Sequence, residues 1–160
     1  MRTVVAIALA SLLVLLVAGP TVGRAARPMT GRFTASVAPV VQRCGPEALT
    51  LGFDITGVAS HLGKLTGSGS NCTEPDLGTS AVAVWDGEAT FTAADGSTLT
   101  TTSAGMQDAP EAGMAAFEIT HTITGGSGRL ADASGVWIVA GTINFVTGQI
   151  SGTVVGWMSY

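Results

Sequence analysis

The stretch that decides the fold is ITGGSGRLADASGVW, residues 123–137. Its spacing Gly126-x-Gly128-x-x-Ala131 matches the loose form of a dinucleotide-binding loop. A loop of that kind leaves a buried parallel strand and enters a helix whose N-terminal amides bind phosphate. Here the residues before the loop alternate between apolar and polar side chains, and residues 136–139 have the composition of a strand. The pattern therefore predicts a turn between two strands and no nucleotide site.

Within this loop we expect structural roles for Gly125, Gly126 and Gly128. The absence of a side chain lets glycine adopt positive φ angles, which suits a compact connection with at most a single helical turn around residues 130–133. Arg129 and Asp132 are close enough in sequence to form a local ion pair, which we also interpret as structural.

Alternation with a period of two continues on both sides of the loop and predicts eight β-strands. The sixth segment is the clearest, because Phe117, Ile119, His121 and Ile123 alternate with glutamate and threonine. Asp95-Gly96 is a strong hairpin signal between the fourth and fifth segments. The predicted strands are residues 31–38, 48–59, 63–70, 81–93, 97–104, 115–124, 135–146 and 149–159.

Eight strands with short connections, and no helices to cover a parallel sheet, indicate an all-β antiparallel meander. Closing such a sheet into a barrel removes its unpaired edges. We therefore predict a single eight-stranded antiparallel β-barrel, with an open two-sheet sandwich as the alternative. A barrel of eight strands has room for its own side chains and at most one small ligand.

The N-terminus has the pattern of a secretory signal peptide, which we predict over residues 1–25. A positive head at residues 1–3 precedes an apolar run over residues 4–18, and Gly19-Pro20 and small residues follow. An uncleaved membrane anchor is the alternative, but the run is shorter than the ~20 residues that a spanning helix needs. We therefore expect a secreted barrel domain over residues 26–160, with no transmembrane domain in the mature protein.

The net charge and the two cysteines of the part of the chain after the predicted signal peptide restrict its partners and indicate a disulfide. Of seven basic residues, Arg2 and Arg24 lie before residue 26, which leaves five basic against eleven acidic residues and a net charge of −6. This balance argues against nucleic acid or an anionic membrane as a partner, because both are bound through basic patches. Cys44 and Cys72 would meet an oxidising compartment, and we predict a disulfide between them.

Two segments resemble a known family of barrels. Residues 125–135, GGSGRLADASG, look like the Gly-Gly-Thr/Ser-Gly-x-Phe-x-x-Ala-x-Gly loop shared by plant allene oxide cyclases, dirigent proteins and many secreted bacterial barrel proteins. Residues 59–66, ASHLGKLT, are similar to the Ala-Thr-His-Leu-Gly-Arg/Lys-Phe-Thr segment of the bacterial group. Leu130 and Leu65 stand where the family usually has phenylalanine.

The resemblance covers about residues 31–160 and implies a calycin-like barrel with an apolar lumen. Its members are often homodimers or homotrimers. The enzymes among them, together with a related group of polyketide cyclases, cyclise or couple reactive small molecules without a cofactor. A shared fold does not by itself transfer an activity.

His121 is the candidate catalytic residue. It shares a face with Phe117 and Ile119, so the alternation predicts that it points into the lumen, where an imidazole can serve as a general acid or base. The alternative is a core histidine held by one hydrogen bond to a threonine or a backbone carbonyl.

Six other side chains are candidates for binding a flat or apolar ligand, although side chains of this kind also fill cores. They are Phe53, Trp85, Phe91, Phe117, Ile119 and Trp137. His61 falls in a predicted turn with Gly63 and Lys64, where we expect it to organise a loop at one mouth of the barrel. The histidines and cysteines lack the spacing of a metal site, so we expect no metal and no cofactor.

Three classes of function follow from the sequence. The first is a secreted non-enzymatic barrel that binds a small apolar molecule or an envelope component. The second is a cofactor-independent cyclase or isomerase, with His121 in the wall of its cavity. The third is a structural or adhesive domain whose core is filled.

Overall fold

The computed structural model describes residues 24–38, 40–74 and 81–160. The predicted signal peptide lies outside this part of the chain except for Arg24 and Ala25. No helix among the described residues is long and apolar enough to cross a membrane. The eight strands are β1 (Arg27–Ala38), β2 (Leu49–Ala59), β3 (Gly63–Thr73), β4 (Ala81–Thr92), β5 (Thr98–Asp108), β6 (Met114–Gly126), β7 (Ser134–Asn144) and β8 (Gln149–Ser159).

The strands form one closed antiparallel barrel in sequence order, and β8 pairs with β1 to complete it. This confirms the predicted fold class and excludes the open sandwich. The third and fifth strands run further than predicted, to Thr73 and Asp108. Their added residues are mostly small or polar, so hydrophobic alternation alone gave no signal for them.

The two ends of the barrel differ. At one end, which we call the closed end, lie the connections β2–β3, β4–β5 and β6–β7 and the C-terminus. Its interior is filled by Met29, Leu99, Leu130 and Met158, none of which is more than 2% exposed. At the other end, the disulfide end, lie residues 40–48, 109–113 and 145–148. The predicted disulfide between Cys44 and Cys72 is present there.

Strand β6 has the orientation that the alternation predicts. His121 and Ile123 are buried, Phe117 and Ile119 are partly buried in the interior, and Glu118 is exposed on the opposite face. A shift of one residue would exchange the two faces. The strand therefore places the candidate catalytic imidazole inside the barrel.

Strand β4 departs from the prediction. A single alternation placed Trp85 on the same face as Ala89 and Phe91, but the pairing of β4 with β5 shifts between Val84 and Gly87. The extra residue is Asp86, whose φ angle is +48°. A β-bulge of this kind reverses the face that later residues occupy. Trp85 is consequently only half-buried, whereas Val84, before the bulge, is buried.

The glycine-rich loop is a turn, as expected, but its details differ. It contains a short 3₁₀ helix at Gly128–Leu130, and of the three glycines expected to adopt positive φ only Gly128 does, at +61°. Gly126 is needed for another reason, because an added Cβ would lie 2.6 Å from the carbonyl oxygen of Thr98. Gly125 has more room, its nearest neighbour being the Thr100 hydroxyl at 3.2 Å.

The ion pair predicted between Arg129 and Asp132 is wrong. Arg129 instead binds Asp95 in the β4–β5 hairpin, and Asp132 pairs with Arg24 at 3.2 Å. The 3₁₀ turn carries the Arg129 side chain away from its neighbour in sequence and toward the adjacent hairpin. The charged side chains of the loop therefore pair with other segments of the chain and not with each other.

Candidate functional site

The lumen contains a partly open cavity of about 90 Å³. Of the six predicted ligand-binding side chains, five line it and Trp85 does not, because of the bulge in β4. Phe33, Leu51, Ile143 and Ile150 extend the apolar wall. The five predicted side chains that the structure brings together are Phe53, Phe91, Phe117, Ile119 and Trp137.

Polar side chains form one sector of the cavity wall, which we call the polar belt. It consists of Asn71 on β3, Ser103 and Gln107 on β5, and His121 on β6. All four are buried, with exposed fractions between 5% and 9%. Burying four polar side chains in so small a lumen is costly unless they find hydrogen-bond partners.

The belt is continuous across β4 because Gly87 has no side chain. The backbone pairs Gly87 with Ser103, and the Ser103 hydroxyl occupies the place that a Cβ at position 87 would take. Ser103 in turn pairs directly with His121. The bulge in β4 is what puts a glycine at this position on the inner face.

His121 is packed and oriented by its neighbours. Its ring stacks on Trp137 at 5.9 Å between centroids and meets Phe91 edge-on at 6.0 Å. Nδ1 lies 3.0 Å from the hydroxyl of Thr101, which is itself buried. This is the hydrogen bond to a threonine that a core histidine was expected to make.

Burial lowers the pKa of His121 from 6.5 to about 4. The low-dielectric surroundings disfavour the imidazolium ion, and no carboxylate offsets this effect. At neutral pH the ring is therefore uncharged. It can offer the cavity a hydrogen-bonding nitrogen, but it lacks the acidic proton of an imidazolium ion and is a weak base.

Asn71 is the polar side chain whose bonding is incomplete. Among the described residues, its Oδ1 is the one buried side-chain nitrogen or oxygen that has no hydrogen-bond partner. An unpaired buried acceptor costs about 1–3 kcal/mol. A donor supplied from within the cavity would remove this cost.

The closed end is held by a cluster around Tyr160, which we call the clasp. The guanidinium carbons of Arg27 and Arg129 lie 5.2 and 5.4 Å from the centroid of the Tyr160 ring, and the Tyr160 hydroxyl is 3.3 Å from Nδ1 of His61. His61 has a φ angle of +69°, and its Nε2 lies 3.0 Å from the carbonyl oxygen of Pro28. This places His61 at a barrel end, in a loop, as expected.

Asp95 completes the clasp by binding Arg129. The pKa of its carboxyl is lowered, first by the backbone N–H of Ser97 and then by the Arg129 guanidinium. Arg129 also donates a hydrogen bond to the carbonyl oxygen of His61. The clasp thus joins three connections and the C-terminus, and it closes this end of the barrel.

Two outer features of the barrel differ from the cavity in character. A depression of about 590 Å³ over β2 to β6 has serine or threonine at half of its lining positions, and Asp54 and Glu88 also line it. An apolar patch on β7 and β8 consists of two cross-strand pairs, Val136 with Trp157 and Ile138 with Val155, all exposed. The predicted homodimer or homotrimer stays a prediction that sedimentation can test.

Sequence reasoning missed the polar belt apart from His121. Ser103 and Gln107 lie on a strand with serine and threonine on both faces, so no alternation separates inside from outside. Asn71 lies opposite the bulge in β4, which shifts the register between β3 and β4. Only the pairing of the four strands β3 to β6 reveals that these residues share one wall.

No group of three potential metal-binding side chains occurs in the described ranges. The geometry that remains is an apolar cavity with one polar sector, a closed floor and a neutral histidine. No protein-family model, curated protein or solved structure matches this chain.

Proposed function

We propose that this protein is a secreted barrel that binds a small apolar molecule in its lumen. The observation that carries the proposal is the cavity itself, whose wall is apolar except for the polar belt and the exposed Arg32. Small-molecule sites combine such walls with a few convergent polar groups that orient the ligand. The unpaired Oδ1 of Asn71 adds a group that gains a partner when a donor binds.

The volume limits the ligand. Pockets for drug-sized ligands begin at about 300 Å³, whereas an engineered apolar cavity of roughly 150 Å³ holds benzene. At about 90 Å³ this cavity is smaller than that, so a molecule of one ring fits only with part of it, its polar end, in the open part. Long-chain lipids are too large for it.

A cyclase or isomerase of the allene oxide cyclase or polyketide cyclase type is the second candidate, because His121 faces the cavity. Its Nδ1 is engaged by Thr101, and burial lowers its pKa to about 4. A neutral, weakly basic imidazole supports ligand orientation better than proton transfer at neutral pH. We therefore rank binding above catalysis.

A filled structural core is the third candidate, and the small volume favours it. Against it stand the partly buried apolar side chains Leu51, Phe53 and Phe117, which line the cavity without closing it. A structural barrel also gains nothing from four buried polar groups. The proposed place in the allene oxide cyclase-like group rests on the two quoted segments together with the closed barrel.

Toluene provides a direct test of lumen binding. We expect it to raise the melting temperature of the parent, since a ligand at ten times its Kd stabilises the folded state by about 1.4 kcal/mol. Ile119→Phe, which fills the cavity, should abolish this shift. Ile138→Phe adds the same volume to an exposed position on β7 and should leave it unchanged.

Calorimetric titration of the parent and both variants measures the same binding directly. Circular dichroism checks that each variant keeps the β-sheet spectrum. If toluene neither binds nor shifts the parent's melting temperature, the filled core is the correct interpretation. Equal binding to Ile119→Phe and the parent would place the site outside the lumen.

A further inference from the structure

The polar belt and the charges near it carry information about the ligand's polar end. Asn71 lies two residues before the end of β3 and Gln107 one residue before the end of β5, and both strands end at the disulfide end. Ser103 and His121 lie deeper in the lumen. A ligand entering from the disulfide end therefore meets the two amide side chains first.

Charge is divided between the two ends of the barrel. The closed end has the basic residues Arg24, Arg27, Lys64 and Arg129, of which two are paired with Asp132 and Asp95. A further basic residue, Arg32, is exposed on β1 opposite Val58, toward the same end, and borders the cavity. The disulfide end has one basic residue in the described ranges, Arg43, which is paired with Asp86. Four exposed carboxylates at that end, which we call the acidic rim, form no ion pair within the described part of the chain: Glu47, Glu74, Asp108 and Glu111.

The acidic rim alone does not define a binding site, but the side-chain oxygen of Asn71 indicates which kind of ligand group would bind near it. Asn71 is only 5% exposed and lines the cavity. Its Oδ1 is a hydrogen-bond acceptor that has no partner, so a ligand that carries a donor would satisfy it. A carboxylate ligand offers only acceptors, so it leaves Oδ1 unpaired and is repelled by the rim. An ammonium ion offers three donors and is attracted by the rim.

We infer that the lumen binds a small apolar amine in its protonated form, with the apolar group against the phenylalanines and the ammonium at Asn71 near the acidic rim. This inference rests on the proposed function and specifies the chemistry of its ligand. The two amide side chains accept hydrogen bonds from the cation without adding a buried charge. The carboxylates act at longer range, by raising the local concentration of cations and lowering that of anions.

Four ligands of similar size separate the contributions of apolar contact, hydrogen bonding and charge to the affinity. They are toluene, benzyl alcohol, benzylamine and benzoate. We expect benzylamine to bind at least about tenfold more tightly than benzoate at low ionic strength, with benzyl alcohol between them. The ratio should shrink in about 0.5 M salt, which screens the rim. Asn71→Leu should weaken benzylamine about tenfold, the effect of one hydrogen bond to a charged group, and leave toluene unchanged.

A second variant keeps the test valid if Asn71→Leu fails to fold. Glu74→Gln combined with Asp108→Asn changes only exposed side chains, and it should reduce the ratio of benzylamine to benzoate affinity. Ile119→Phe should abolish benzylamine binding together with toluene binding. Benzylamine that still binds this filled variant is held on the surface, which would overturn the inference.

The outcomes distinguish the inference from the proposed function. If toluene binds and benzoate binds as tightly as benzylamine, lumen binding stands and the inference is wrong. Equal affinities of the parent and the rim variant for both charged ligands would also overturn it. If none of the four ligands binds, the proposed function is wrong and the inference falls with it.

Discussion

At the residue scale, His121 shows what the sequence predicts about a side chain and what it does not. Alternation along one strand was enough to place the imidazole in the lumen, because the flanking residues on its face are large and apolar. Its hydrogen bond to Thr101 was foreseen only as one of two options. The stacking on Trp137 depends on the pairing of β6 with β7, which the sequence does not encode locally.

The lowered pKa of His121 predicts a dependence of stability on pH. In the unfolded chain the imidazole titrates near its ordinary value of 6.5, and in the folded chain near 4. Below pH 6.5 the unfolded state therefore binds the proton first, so the free energy of unfolding falls as the pH is lowered toward 4. Above pH 6.5 neither state is charged and this contribution vanishes.

We expect the parent to lose roughly 2–3 kcal/mol of stability between pH 7 and pH 4.5 through this histidine. His121→Gln, which keeps a polar group beside Thr101, should lack that loss, while His61→Gln at the closed end should retain it. Urea denaturation at both pH values measures the difference. A parent and a His121→Gln variant with the same pH dependence would show that the imidazole is not desolvated in the folded state.

Asn71 illustrates what single-residue reasoning cannot find. Its neighbour Cys72 is a candidate from the sequence because cysteines are few and their chemistry is specific. Nothing in the sequence marks Asn71 itself as buried, since asparagine is usually exposed. Its position follows from the register shift between β3 and β4, which is a property of two strands together.

At the element scale, the contrast between β4 and β6 shows where alternation succeeds. Strand β6 keeps one register over its inward-facing residues, and its prediction holds. Strand β4 contains a bulge at Trp85 and Asp86. Even-numbered residues therefore face the lumen before the bulge and odd-numbered residues after it. Gly87 directly follows Asp86, and a glycine inside a strand often marks such a break, but a single alternation over the whole segment passes through it.

The glycine-rich loop yields a prediction at the same scale. Gly126→Ala should lower the free energy of unfolding by about 1–3 kcal/mol, because its Cβ would press against backbone oxygens that cannot rotate away. Gly125→Ala is the matched control. Its Cβ would meet only the Thr100 hydroxyl, a side-chain atom that can move, and its cost should be clearly smaller.

Urea denaturation at pH 7 compares the two loop variants with the parent. The loop is a turn between two strands, so its conformation should not depend on a nucleotide. Saturable stabilisation of the parent by ATP or NAD would contradict that interpretation. Equal losses for the two alanine variants would contradict the close approach of Gly126 to Thr98.

At the scale of the whole molecule, the barrel was predictable because many weak local signals agree. No single strand is strongly predicted by its own residues. Eight alternating segments joined by compact turns, however, leave few architectures in which every strand edge is paired. The charge separation between the ends was not predictable in the same way. Its members are scattered along the chain, and only the antiparallel path brings Glu47, Glu74, Asp108 and Glu111 to one end.

The disulfide at that end supports a last prediction, which concerns the stability of the whole barrel. Cys44 and Cys72 are 28 residues apart and tie the segment over residues 40–48 to β3, next to Asn71. Cross-linking a loop of this length restricts the unfolded chain and stabilises the fold by about 3–4 kcal/mol in the loop-entropy model. The double variant Cys44→Ala with Cys72→Ala should therefore unfold at lower urea concentration while keeping its β-sheet spectrum, since eight paired strands remain.

Parent protein treated with a reductant is the control, and its free energy of unfolding should fall by a similar amount. A loss in the double variant alone would assign the effect to packing of the buried Cys72 sulfur, and two reactive thiols in the unfolded, untreated parent would show that the bridge does not form.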